Sequence, residues 1–215
     1  MDENFSTLSV KGDENDRYER FLQTNGYPLV AGLDEVGRGP LAGPVVAACV
    51  ILPASCDHSL FIDSKKLSAK KRLHLHHVVK KIQAHVGIGI VDEATIETIN
   101  ILQASLLAMK QAVDDVSSRN CQPDFLLIDG KFPIPHPLPQ RPLIRGESKS
   151  GSIAAASIVA KVVRDGMMEE LHKQYPVYNF YKNKGYPTKE HRMAISRFGP
   201  CPVHRKTFRG VKEFL

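Results

Sequence analysis

The stretch that decides the fold is residues 29–52, which read LVAGLDEVGRGPLAGPVVAACVIL. It begins with an apolar segment, residues 29–33, and ends with a second one, residues 45–52, and both are typical of buried β-strands. Between them lie two adjacent carboxylates, Asp34 and Glu35, and a loop rich in glycine and proline. A short loop between two strands predicts that the strands are antiparallel neighbours.

The two carboxylates stand where a charge is expensive. Neighbouring residues on a strand point to opposite faces, so Asp34 or Glu35 must be buried or turned by an irregularity at the strand end. A buried charge is costly unless it is paired or bound to a cation. The glycines that follow permit a positive φ or a close approach of the backbone to another molecule. Since the loop also carries Arg38, we predict a metal site beside a phosphate site.

Length and composition allow one domain with a full hydrophobic core, since the chain has 215 residues and 42% of them are hydrophobic. It contains no apolar run of about eighteen residues, so we expect no membrane span, and no signal-peptide pattern indicates export. The four cysteines form no CxxC pair, which favours reduced thiols and a cytoplasmic location. A net charge of +6 is compatible with a polyanionic partner without identifying one.

The remaining pattern predicts an α/β domain with a mixed sheet. We expect a loose polar tail over residues 1–16, an α/β domain over 17–174, and a helical, basic C-terminal segment over 175–215. Further strands are predicted at 85–91 and 124–130, joined by a helix over 94–116 in a crossover that makes a parallel pair. Residues 131–142 hold five prolines and are predicted to be irregular. A second strong helix, rich in small residues at its start, is predicted over 150–174.

Four acidic residues stand out by position. Asp34 and Glu35 end the first strand, Asp129 ends the apolar run DFLLIDG, and Asp165 lies in the small-residue helix. Ligand sites in open α/β sheets form at strand ends, so these side chains could meet there. A single aspartate is more often a cap or an ion-pair partner, but Mg²⁺ and Mn²⁺ prefer such oxygen ligands. Two ions about 4 Å apart would suit a phosphodiester displacement.

These residues resemble a known family. The stretch AGLDEVGRGPLAGPVV resembles the signature of the ribonuclease HII family, and the blocks DSKKLS, INILQASLLAMKQAV, LLIDG, SIAAASIVAKVVRD and GYPTKEH follow in the family order. The resemblance implies a ribonuclease H-like fold, with a central five-stranded mixed sheet flanked by helices and a small C-terminal helical segment. It also implies endonucleolytic hydrolysis of RNA in RNA–DNA hybrids, and of single ribonucleotides embedded in duplex DNA.

The resemblance also assigns site residues. It implies that the metal, Mn²⁺ or Mg²⁺, is held by the four acids, with Asp34 and Asp129 as direct ligands, and Glu35 and Asp165 completing the coordination and positioning water. It further implies three groups of substrate-binding residues. These are Gly37, Arg38 and Gly39 for the ribose 2′-hydroxyl, Tyr186 for stacking on the next deoxyribose, and Ser64, Lys65 and Lys66 for backbone phosphates.

Two features bear on the limits of this resemblance. Where the family leads us to expect an aspartate before the small-residue helix, this chain has Glu147, in RGESKS, which leaves the role of that position open. The end of the sequence, FRGVKEFL, does not resemble a sliding-clamp peptide, so clamp binding is unsupported. We expect a monomer, because no additional apolar surface helix is evident.

Two alternatives remain. A ribonuclease HIII-like enzyme would carry an additional N-terminal substrate-binding domain, and the 33 residues before Asp34 leave no room for one. A non-catalytic nucleic-acid-binding module would rely on the basic stretches alone. Four carboxylates beside phosphates would not help such a module to bind, so the enzyme is favoured.

Overall fold

The computed structural model describes residues 15–119 and 121–215, and within them a sheet lies between two layers of helices. Most of the predicted N-terminal tail, residues 1–14, lies outside the described residues. The strands are β1 (Val30–Val36), β2 (Val45–Ile51), β3 (His85–Val91), β4 (Phe125–Asp129) and β5 (Gln140–Leu143). The α-helices are α1 (Arg17–Thr24), α2 (Ala69–Lys81), α3 (Glu93–Ser118), α4 (Gly151–Gln174), α5 (Phe180–Asn183) and α6 (Lys189–Phe198).

The sheet has five strands in the order β3-β2-β1-β4-β5, which confirms the predicted mixed sheet. As predicted, β1 and β2 are antiparallel neighbours. The predicted crossover from β3 through α3 to β4 joins strands of the same direction, but they are not neighbours, because β2 and β1 lie between them. Instead β4 pairs in parallel with β1, and this pairing sets the geometry of the site described below.

The prediction that residues 131–142 are irregular is wrong at its end. Strand β5 begins at Gln140, and Pro142 lies opposite Ile128 of β4 in a parallel register. Proline has no N–H to donate to a partner strand, so it is disfavoured in a central strand, which is paired on both sides. An edge strand is paired on one side only, so the position without an N–H can face the unpaired side. Because β5 is the last strand of the sheet, it accommodates the proline.

Helix α4 lies very close to the sheet because small residues face each other. Ala154, Ala155 and Ala156 are fully buried at its start, and its N-cap Ser150 accepts a hydrogen bond from the N–H of Ile153. At the contact with β1, a Cβ added to Gly32 would lie 2.1 Å from the carbonyl carbon of Ser152. Glycine at position 32 is therefore what allows the helix to seat on the strand.

We expect Gly32→Ala to lower the free energy of unfolding by about 3 kcal/mol, because the added methyl group meets helix backbone that cannot rotate away. The measurement is urea unfolding followed by circular dichroism. Gly166→Ala is the control for glycine replacement. Gly166 lies in α4 with nothing within 4 Å of an added Cβ, so this variant should gain up to about 1 kcal/mol in the free energy of unfolding. Equal stabilities for the two variants would contradict the proposed close packing.

The C-terminal segment packs on the loop that follows β1. A cluster of buried apolar residues from this segment and α4, among them Met168, Phe180 and Ile195, surrounds Leu41 and Ala42. Ala42 also forms an antiparallel bridge with His204. The loop between β1 and β2, residues 37–44, is therefore held in place by the C-terminal segment, and we call it the glycine loop. None of the described helices is both long and apolar enough to cross a membrane.

Candidate active site

Asp34 and Asp129 lie side by side at the carboxyl ends of two neighbouring strands. In the parallel pairing of β1 with β4, Leu33 is opposite Ile128, so the next residue of each strand is one of the two aspartates. Neighbouring strands are about 4.8 Å apart, and residues in register point to the same face. The structure thus brings together two of the predicted carboxylates, which are 95 positions apart in the sequence.

Asp34 is buried, with 6% of its surface exposed. Its Oδ1 accepts the N–H of Glu35 at 2.7 Å, and the side chain is hydrogen-bonded by Ser157 of α4. Burial, and then the negative charges of Glu35 and Asp129, raise the pKa of Asp34 well above its ordinary value. The site therefore concentrates negative charge in a place with little water, where a cation would be strongly favoured.

Glu35 is the third carboxylate of this cluster. Burial raises its pKa, and the Arg38 guanidinium opposes this rise, with Nη1 of Arg38 3.2 Å from Oε1 of Glu35. The side chain of Arg38 is half exposed, so it reaches from the acidic cluster to the surface of the glycine loop.

Glu147 joins the cluster from a short 3₁₀ turn, Gly146–Ser148. The N–H of Gly146 donates to Oδ1 of Asp129 at 2.6 Å, and the carboxyl groups of Asp129 and Glu147 are themselves hydrogen-bonded. Burial, then this bond and the charge of Glu147, raise the pKa of Asp129 to about 7. Burial acts to raise the pKa of Glu147 too, but its bonds with Asp129 and Lys65 outweigh burial and lower it.

The structure places Asp165 elsewhere. It lies on α4 eight residues beyond Ser157, which corresponds to about 12 Å along the helix axis. Its carboxylate accepts a hydrogen bond from Lys161 Nζ at 2.7 Å, and it lines a different groove, with Arg72 and Tyr181. Of the four predicted acids, three are therefore brought together, and Glu147 occupies the position expected of the fourth.

Sequence reasoning noticed Glu147 but did not include it among the site residues. The available signal was its place directly before the N-terminus of the small-residue helix, eighteen positions after Asp129. Asp165 was the more obvious candidate because it lies inside that helix, but a side chain more than two turns further along cannot reach the same strand ends.

The glycine loop and Tyr186 form one surface beside the acidic cluster. Gly37 has a φ of +102°, and a Cβ there would lie 2.3 Å from Nε of Arg164, so both its conformation and its surroundings require glycine. A Cβ on the exposed Gly39 would be 3.7 Å from Cε1 of Tyr186. Tyr186 is 39% exposed, so it flanks the loop and is accessible to a ligand.

The three residues predicted to contact phosphates differ in their surroundings. Lys65 and Lys66 are exposed, and Nζ of Lys65 lies 3.6 Å from Oε1 of Glu147. Ser64 is buried, and its hydroxyl is 2.7 Å from that of Ser157, the residue that hydrogen-bonds Asp34. The lysines are therefore accessible to a polyanion, whereas the Ser64 hydroxyl supports the acidic cluster from behind.

The donor set fits a hard divalent cation. The side chains of Asp34, Glu35, Asp129 and Glu147 are all carboxylates, which are the ligands that such a cation prefers. In the described structure, Oε2 of Glu147 is buried without a hydrogen-bond partner. Among residues 15–119 and 121–215, no three His, Cys, Asp or Glu side chains are already arranged to hold an ion. A cation bound here would offset the mutual repulsion of these carboxylates.

Comparisons with known proteins identify the family of this chain. The family model for ribonuclease HII matches residues 31–211. Ribonuclease HII of Desulfotalea psychrophila is 60% identical over 208 residues, covering 97% of this chain and 92% of the relative. Ribonuclease HII of Bacillus subtilis is 50% identical over 197 residues, covering 92% and 76%.

Solved structures show the same fold at low sequence identity. Ribonuclease H2 from Pyrococcus horikoshii has a TM-score of 0.69 at 23% identity and covers 86% of this chain and 96% of that one. Bst-RNase HIII, a ribonuclease HIII solved in complex with Mn²⁺, has a TM-score of 0.66 at 18% identity. The match covers 87% of this chain and 69% of that one. The ribonuclease H-like fold predicted from the sequence is thus confirmed. Together with the family match over most of its length, this shows that the chain belongs to the ribonuclease HII family and is a metal-dependent endoribonuclease that hydrolyses RNA in RNA–DNA hybrids.

Proposed function

We propose that this enzyme cleaves the phosphodiester on the 5′ side of a ribonucleotide, both in RNA–DNA hybrids and where a single ribonucleotide is embedded in duplex DNA. The products are a 3′-hydroxyl and a 5′-phosphate. The observation that carries the proposal is the contiguity of the acidic cluster with the glycine loop and Tyr186. The acidic cluster suits the scissile phosphate with its cations, and the glycine loop with Tyr186 suits the sugar that must be recognised.

The metal-binding residues in this proposal are Asp34, Glu35, Asp129 and Glu147, with Glu147 in the place that the sequence suggested for Asp165. When bound, two ions of Mg²⁺ or Mn²⁺ supply Lewis-acid stabilisation of the attacking and leaving oxygens. The Mn²⁺ complex of the structurally similar ribonuclease HIII supports a divalent metal for this fold. Burial, and then the neighbouring carboxylates, raise the pKa values of Asp34 and Asp129, and a bound cation would offset both effects.

The other residues select and orient the substrate. The backbone N–H groups of the loop Gly37, Arg38 and Gly39 accommodate the ribose 2′-hydroxyl, which serves as a recognition element and not as the nucleophile. The ring of Tyr186 stacks on the sugar of the following deoxynucleotide. Lys65 and Lys66 contact backbone phosphates and make binding depend on salt. This specificity suits removal of RNA primers and excision of misincorporated ribonucleotides.

The experiment is cleavage of an end-labelled DNA duplex that contains one ribonucleotide, with Mg²⁺, Mn²⁺ or a chelator. We expect a single cut on the 5′ side of the ribonucleotide that requires the metal. Cleavage of long hybrids alone would be consistent with the proposed metal site but would contradict the proposed roles of the glycine loop and Tyr186. Tight, salt-sensitive binding without cleavage under either metal would instead favour a nucleic-acid-binding module.

A further inference from the structure

Two arginines lie fully buried beneath the glycine loop, outside the acidic cluster. Arg164 of α4 and Arg205 near the end of the chain both have 0% of their surface exposed. Within the described structure neither of them lies within ion-pair distance of a carboxylate. Burying a guanidinium in this way is expensive, so the arginines require a compensating set of hydrogen bonds.

Arg205 is bonded to the carbonyls of the loop itself. Its Nη2 donates to the carbonyl oxygens of Gly37 at 2.6 Å and of Gly43 at 2.7 Å. Its Nη1 donates to Pro40 at 2.9 Å and to Arg38 at 3.2 Å, and its Nε donates to Gly43 at 3.0 Å. The five donor hydrogens of one planar group are therefore matched by five contacts to four carbonyls of a single loop.

Arg164 supports the adjoining segment instead. Its donors reach the carbonyls of Pro44 at 2.9 Å, Ala42 at 3.1 Å and Lys184 at 3.0 Å. None of these three carbonyls belongs to residues 37–40. Arg164 packs against Gly37, but of the two arginines only Arg205 hydrogen-bonds the carbonyls of Gly37 and Arg38.

The direction of these carbonyls determines the direction of the neighbouring N–H groups. In a trans peptide the C=O of one residue and the N–H of the next point in opposite directions. Because the carbonyls of Gly37 and Arg38 point inward to Arg205, the N–H groups of Arg38 and Gly39 point away from it. Neither N–H donates a hydrogen bond to any residue in the described ranges, and the exposed Gly39 adjoins Tyr186.

We propose that Arg205 is a positioning residue for ribose selectivity: it holds the carbonyls of Gly37 and Arg38 inward so that the N–H groups of Arg38 and Gly39 are preorganised for the 2′-hydroxyl. This inference rests on the ribose recognition proposed above. Its distinctive consequence is that loss of the guanidinium fork weakens the preference for a ribonucleotide, while contacts to phosphates are unchanged.

The test compares the Kd for a DNA duplex with one ribonucleotide against the Kd for the all-DNA duplex of the same sequence, with Ca²⁺ as the probe cation and cleavage monitored. We expect the wild type to prefer the ribonucleotide by about tenfold or more, the value of one or two hydrogen bonds. Arg205→Lys keeps the charge but cannot bridge all four carbonyls, so its preference should fall below about twofold. Its all-DNA Kd should stay within about twofold of the wild-type value.

Arg164→Lys is the matched control, because it removes an equally buried fork that packs against Gly37 but hydrogen-bonds none of residues 37–40, and it should retain most of the preference. Equal weakening of both duplexes by Arg205→Lys would indicate a merely structural role and overturn the inference, as would an unchanged preference. No preference in the wild type would refute the proposed ribose recognition itself.

A measurement on the wild type keeps the inference testable if Arg205→Lys does not fold. A loop held by Arg205 is rigid before substrate binds, so the backbone order parameters of Gly37 and Gly39 in ¹⁵N-glycine-labelled protein should be about 0.85, as in a strand. Values below about 0.6 in the free protein would overturn the positioning role.

Discussion

Replacing Asp129 with asparagine is expected to reduce cleavage of RNA–DNA hybrids by about a thousandfold or more, because it removes a proposed metal ligand from the centre of the acidic cluster. A thousandfold loss corresponds to about 4 kcal/mol of transition-state stabilisation, which is the scale expected for a metal-dependent displacement. Asparagine retains the size of the side chain and can still accept the N–H of Gly146, which donates to Asp129 at 2.6 Å. The fold should therefore survive.

Stability and activity should change in opposite directions in this variant. The pKa of Asp129 is raised to about 7 by burial and by Glu147, so ionising this group in the metal-free protein is unfavourable. A neutral amide avoids that cost, and we expect the free energy of unfolding without metal to be equal to or higher than that of the wild type. The measurements are single-turnover cleavage and urea unfolding in a chelator. A well-folded Asp129→Asn variant with full activity would remove the catalytic assignment.

Glu147→Gln and Asp165→Asn are expected to differ sharply, although each removes one negative charge near α4. Glu147 is hydrogen-bonded to Asp129 and has a buried oxygen without a partner, so its loss should reduce cleavage by about a hundredfold and weaken Mn²⁺ binding. Asp165 is paired with Lys161 at 2.7 Å, away from the cluster. Its loss should change cleavage by no more than about twofold, since a partly exposed ion pair contributes little.

The comparison is made by kcat/KM on one hybrid substrate and by calorimetric titration of Mn²⁺. A third variant, Glu147→Asp, shortens the side chain to the residue that the family resemblance led us to expect, and it should retain much more activity than Glu147→Gln. If Asp165→Asn is the inactive variant and Glu147→Gln remains active, the assignment made from the sequence is restored and the one made from the structure is wrong.

The Arg205 proposal connects these acids to selectivity. In the proposed function, the acidic cluster stabilises charge at the phosphate and does not distinguish ribose from deoxyribose. We propose that backbone groups of the loop make that distinction, and their directions depend on the residues that hold the loop from beneath. In this chain a residue from the far C-terminal end holds it, through hydrogen bonds from Arg205 to Gly37 and Gly43. Truncation of the C-terminal segment would therefore affect specificity as well as stability.

Local patterns in the sequence were sufficient to predict the main elements and the chemistry of the motif. Continuous apolar runs placed β1, β2 and β4, and helical spacing placed α3 and α4, because these patterns act between residues close in sequence. The carboxylates, the glycines and Arg38 of residues 34–39 indicated a metal site beside a phosphate site. The family blocks then implied the five-stranded mixed sheet, which the structure confirms.

Which side chains meet in the site depends on contacts between residues that are distant in sequence. The parallel pairing of β1 with β4 sets Asp34 beside Asp129, and a partner strand distant in sequence leaves no local pattern. The same holds for Pro142, which is tolerated because its strand is at the edge, and for Arg205, which reads in sequence as one more basic residue of the C-terminal segment. Glu147 and Asp165 are equally acidic and lie near the same helix in sequence. What separates them is about 12 Å of helix rise beyond Ser157, a distance that matters only once the helix is seated on the sheet.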